Sequence, residues 1–218
     1  MNVFEVLLTL HITGGVFALG SAFVALFVKI FDTSHKWHIY SGKLYLLGMI
    51  IIFLTAIPMA ILHSNLFLFL VAIFSFYLGL VGWRFAKNRN GLPNWLDWGS
   101  ASIMAVTSFA MIIYGIYLLI NNVDMGVVII VFGSIGAMLS ISGLRGFRRG
   151  ATTGKERIIA HLGMMLGGTT AVVTAFIVTN FTFQPAIVLW LAPTVVITPT
   201  IFWWGRRIRS GFKPKGMR

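Results

Sequence analysis

The 218-residue chain contains no cysteine, and only five acidic residues stand against seventeen Lys and Arg. The missing thiol removes disulfides, thiolate-bound metals and catalytic cysteines together, so any chemistry must rest on His, carboxylate, hydroxyl or a cofactor. Charge is scarce, at 10% of residues against about a quarter in soluble domains, while 58% are hydrophobic and the mean hydropathy is +0.90. A water-soluble fold of this size has no interior large enough to hide that much apolar surface. High apolarity also excludes intrinsic disorder, and 23 glycines without a triplet period exclude a collagen-like fibre. A Gly-x-Ser-x-Gly elbow, a phosphate-binding loop and a His-Glu-x-x-His pair are all absent.

What is present is a succession of apolar runs, each long enough to cross a hydrocarbon core as a helix of about 20 residues. Seven such spans are expected, at roughly 4–28, 40–62, 65–83, 98–120, 125–144, 158–180 and 186–204. They leave only short connections, so residues 1–218 read as a single all-α transmembrane domain, an integral membrane helical bundle. No Lys or Arg precedes the first apolar run, so it lacks the basic start of a secretory signal and is expected to be retained. Gly126, Gly133, Gly136 and Gly143 interrupt the fifth span, and Pro193 and Pro199 the seventh. Neighbouring helices in a bundle accommodate both kinds of interruption.

The basic residues sort by connection. Lys29, Lys36 and Lys43 follow span one; Arg84, Lys87 and Arg89 follow span three; Arg145, Arg148, Arg149, Lys155 and Arg157 follow span five; Arg206, Arg207, Arg209, Lys213, Lys215 and Arg218 follow span seven. The other connections, around His63 to Asn65, Asn121 to Asp124 and Asn180 to Pro185, have none. Since short Lys- and Arg-rich loops stay cytoplasmic, the pattern predicts an amino terminus outside and a carboxyl terminus inside, which only an odd number of spans permits. Trp37, Tyr40, Trp83, Trp95, Trp98, Trp203 and Trp204 cluster at the same boundary as an aromatic belt. The net charge of +12 is thereby a topology signal with affinity for anionic lipid headgroups, and it requires no nucleic-acid partner. Small-residue helix faces permit a homodimer.

Polar residues inside a membrane are expensive and point to function. The set here is Glu5, His11, His38, His63, Asp97 and His161, with Thr13, Ser75, Ser102, Thr107, Ser108, Thr169, Thr170 and Thr174 as weaker candidates, and histidine dominates it. His11 and His63 fall toward the outer side and His38 and His161 toward the cytoplasmic side, giving two pairs by depth. One reading is b-type haem, with imidazoles from neighbouring helices on opposite faces of the iron and glycines such as Gly14, Gly15, Gly163, Gly167 and Gly168 making room for the porphyrin; such a bundle would move electrons across the membrane. A second is zinc held by His35, His38 and His161 with Asp97 or Glu156, as in a membrane hydrolase. A third is a transport or membrane-assembly component with structural histidines, although the chain has no acid near mid-membrane to carry a proton or cation. Asp97, at the start of span four, is placed to stabilise that helix's amino end or to pair with Arg84.

Several stretches resemble a family of uncharacterised bacterial multi-pass membrane proteins. They are Leu10 to Gly15 with Ala18 to Gly20; His38 with Ser41 to Tyr45; Phe74 to Tyr77 leading to Gly82 to Arg84; Leu96 to Trp98; Phe132 and Gly133; His161 to Met164; Thr174 to Phe176; and Trp190 to Thr194. The resemblance implies a bacterial cytoplasmic membrane and carries no activity. A looser similarity is to cytochrome b561-like proteins, which hold two haems through histidines on four central helices; this chain has histidines on spans one, two and six alone. Seven-span zinc hydrolases related to adiponectin receptors are also superficially similar, but the last span here has no histidine.

Overall fold

The computed structural model describes residues 2–31 and 33–211; Asp32 and the basic-tail residues Lys213, Lys215 and Arg218 lie outside the described residues. Seven helices follow one another: α1 (Val3–Ile30), α2 (His35–Leu62), α3 (Leu66–Lys87), α4 (Trp95–Ile120), α5 (Met125–Arg149), α6 (Gly154–Asn180) and α7 (Ile187–Arg209). All are long and apolar enough to cross a membrane, and no strand occurs among the described residues. The protein is a multi-pass helical bundle of the membrane.

At the end remote from the basic residues, helix limits fall within one residue of the hydropathy limits; at the basic end the helices run two to five residues further. Hydropathy senses the apolar slab, whereas a helix continues wherever its backbone bonds are satisfied. The aliphatic stems of Lys and Arg can lie along the slab while their charges reach water. In α1, α3, α5 and α7 these cations also occupy the carboxyl-terminal turn, where the helix dipole favours them. Every Lys and Arg among the described residues lies toward this one end of the bundle.

Helix α3 is central and packs against α2, α4, α5 and α6; the antiparallel pairs α1 with α2, α4 with α5, and α6 with α7 surround it. Two apolar clusters result. Leu70, Phe74, Tyr77 and Leu78 of α3 meet Met104 and Met111 of α4 and Val128, Ile129 and Phe132 of α5. On the other side of α3, Ala18 and Ala22 of α1 meet Tyr45 and Met49 of α2 and Val172 of α6. Large apolar side chains such as Phe23, Leu54, Val106, Ile113 and Val195 point outward. That inversion suits a lipid surround, which offers no hydrophobic drive to bury them and leaves helix association to close packing.

Glycine supplies that packing. A Cβ on Gly126 would lie 2.5 Å from the Gly115 carbonyl, one on Gly133 would lie 3.0 Å from the Ser108 carbonyl, and one on Gly136 would lie 2.6 Å from Ser108 Oγ. Three of the four interruptions in the fifth span, Gly126, Gly133 and Gly136, are therefore the seam on which α4 rests, and α5 is continuous through all four. Helix α7 is likewise continuous through Pro193 and Pro199.

The basic end is tied together by polar contacts. Arg84 near the end of α3 donates from Nε and Nη2 to the two oxygens of Asp97 at the start of α4, at 2.9 and 2.7 Å. Asp97 also closes a capping box with Asn94, so it fills both structural roles expected of it. Arg157 of α6 donates to the carbonyls of Phe85 and Ala86, and Glu156 pairs with Arg209 across to α7.

Candidate functional site

Each histidine's environment follows from its position on a helix. His38, in the first turn of α2, donates from Nδ1 to the Ala25 carbonyl of α1 at 3.1 Å. His161, in the second turn of α6, donates from Nδ1 to the Gly82 carbonyl of α3 at 2.8 Å. A carbonyl only accepts, so in both rings the proton sits on Nδ1, and a neutral ring then presents the Nε2 lone pair. A ring held through one nitrogen by a backbone carbonyl, with the other nitrogen free to bind, is the arrangement that orients histidine ligands at metal centres.

The two rings meet. Their centroids are 6.4 Å apart and their planes nearly perpendicular, at 86°. No Cα of α2 comes within 8 Å of one on α6, so these side chains approach each other across a gap between helices whose backbones do not touch.

Both rings line a cavity of about 140 Å³ at the basic end. Its walls come from α1 (Ala22, Ala25, Leu26, Lys29), α2 (with Gly42 and Tyr45), α6 (from Ile158 to Thr169) and α7 (Trp204, Ile208). It is mostly apolar and open at its rim, and no Cα of α1 comes within 8 Å of one on the other flanking helix, α7. Toward the bundle interior, Tyr45 is 1% exposed and its hydroxyl lacks a well-formed hydrogen bond.

The outer pair is not brought together. His11 donates from Nδ1 to Thr55 Oγ1 at 3.0 Å, because the threonine's own proton is directed to the Ile51 carbonyl. His63 caps the end of α2 and packs edge-on against Phe4, with ring centroids 4.5 Å apart. It lies eight residues beyond Thr55, about 12 Å along the helix.

The zinc set does not assemble either. Asp97 is taken by Arg84 and Glu156 by Arg209, His35 is exposed, and no cluster of three His, Asp or Glu suited to a metal occurs among the described residues. Of the glycines expected to flank a porphyrin, two sit at close helix contacts: a Cβ on Gly168 would meet the Tyr45 hydroxyl, and one on Gly14 would lie 2.8 Å from Ile51 Cγ2, whereas one on Gly15 would meet nothing within 4 Å.

Sequence reasoning missed Lys29 and Tyr45 as cavity residues and held Thr169 only as a weaker candidate. The signal was spacing from the histidines. Tyr45 is seven residues beyond His38, and Met165 and Thr169 are four and eight beyond His161, which places each on its histidine's helix face. Comparison with protein-family models, with curated proteins and with solved structures finds no match to the chain.

Proposed function

We propose that the protein binds a b-type haem between His38 and His161 and serves electron transfer in the membrane. The observation that carries this reading is the carbonyl-anchored pair of imidazoles 6.4 Å apart beside an apolar cavity. His38 and His161 would hold the iron: both rings are anchored through Nδ1, both line the same apolar cavity, and neutral imidazole nitrogen is a donor that haem iron takes. A porphyrin is larger than the cavity and would extend through its open rim. Bound haem would supply reversible one-electron chemistry. The chain's own part is to fix both rings through the Ala25 and Gly82 carbonyls, keep water from the apolar walls, and thereby set the potential.

Visible absorption of protein purified from haem-replete cells tests this. A Soret band is expected, abolished by His161→Ala and by His38→Ala and retained in His11→Ala and His63→Ala. A folded but colourless preparation would overturn the reading and favour a transport or assembly component.

We further propose that the basic end faces the cytoplasm of a bacterial cell, against anionic headgroups, with the amino terminus outside. The support is the gathering of the basic residues at one end of the bundle. Alkaline phosphatase fused after Asp124 should be active and after Arg149 inactive; the reverse pattern refutes this orientation.

A further inference from the structure

We infer that Lys29 holds a carboxylate of the bound haem at the cavity rim, so that the haem's propionate edge faces the basic end and its hydrocarbon edge the bundle interior. This rests on the haem reading above.

Among the residues lining the cavity, Lys29 alone is charged. It stands in the last turn of α1, one turn beyond Ala25, whose carbonyl anchors His38. Its side chain is half-buried, and no described carboxylate pairs with it. Three cations on the neighbouring helices are engaged elsewhere: Arg209 with Glu156, Arg157 with the end of α3, and Arg207 over the Trp203 ring at 4.8 Å. The remaining walls, such as Leu26, Leu162, Met165, Leu166 and Trp204, suit hydrocarbon.

Haem is a dianionic amphiphile with both carboxylates on one edge. In an open-rimmed apolar cavity its uncharged edge goes inward, because burying a carboxylate without a partner is prohibitive. The carboxylates must then lie at the rim, where Lys29 offers a charge-assisted hydrogen bond. The position fits the size argument as well, since the part of the porphyrin that exceeds the cavity is the part that reaches the lysine.

The test compares haem with haem dimethyl ester, in which the carboxylates are capped and the iron ligands unchanged. Both are titrated by Soret absorbance into haem-free protein in one detergent. Wild-type protein should bind haem about tenfold more tightly than the ester, the increment of one charge-assisted contact. Lys29→Gln should bind the two within about twofold while keeping wild-type affinity for the ester, which also reports that the variant is folded. Lys29→Arg should keep the preference. Equal binding of both compounds by wild-type protein, or an undiminished preference in Lys29→Gln, overturns the lysine assignment and leaves the haem reading standing. Absence of a Soret complex with either compound overturns both.

Discussion

Asp97→Ala is expected to destabilise the protein by about 4 kcal/mol, the range for breaking a buried ion pair by removing one partner. The side chains of Arg84 and Asp97 are 15% and 9% exposed, so truncation leaves a guanidinium with little access to water. The same change removes the carboxylate that accepts from the Asn94 backbone N–H at 2.9 Å, and with it the capping box of α4. At roughly 3 °C per kcal/mol for a chain of this size, thermal unfolding in detergent should move down by about 12 °C. Replacing both partners, Arg84→Met with Asp97→Asn, should cost less than Asp97→Ala alone, since no buried charge is then left unpaired. A loss under about 2 °C for Asp97→Ala would show that the pair is solvated and contributes little. The consequence reaches the candidate site, because Arg84 is two residues from Gly82, whose carbonyl anchors His161. On the proposed haem reading, loosening the junction of α3 and α4 should therefore also weaken haem retention.

The number of helices, their remote ends and the gathering of the basic residues were legible because each depends on a one-dimensional property, the transfer of a residue into or out of hydrocarbon. The extra turns at the basic end were not, since snorkelling side chains let a helix outrun its apolar segment. Which histidines meet was half legible. Depth along each helix brought His38 level with His161 and His11 near the level of His63, but depth says nothing of rotation or of neighbours. In the structure α2 turns His38 toward the gap before α6, whereas His11 of α1 is held against α2 by Thr55, and His63 at the end of α2 packs against Phe4 of α1. Glycine was hardest to read. Gly168 carries the same hydropathy whether it admits a porphyrin or the Tyr45 phenol, and only the facing helix decides.

That dependence on the facing helix makes Gly48→Ala the more informative of the large-effect substitutions. A Cβ there would lie 2.7 Å from the Ala18 backbone nitrogen and 2.8 Å from the Gly14 carbonyl oxygen. Both are backbone atoms in the middle of α1, so no flexible side chain can yield and the two helices must part. Overpacking a tight interface costs up to about 3 kcal/mol, and the upper end applies where backbone must move. Gly20→Ala is the matched control: its added methyl meets nothing within 4 Å, and the gain in helix propensity makes it neutral or stabilising by up to about 1 kcal/mol. Thermal unfolding should separate the two variants by about 10 °C, at roughly 3 °C per kcal/mol. If they unfold together, the close approach of α1 and α2 is not what holds this side of the bundle. If they separate, the proposed haem reading predicts that haem affinity falls in Gly48→Ala and holds in Gly20→Ala, because the contact that Gly48 permits sets the spacing between α1 and α2. On that spacing depend the bond from His38 to the Ala25 carbonyl and the distance of Lys29 from the cavity rim.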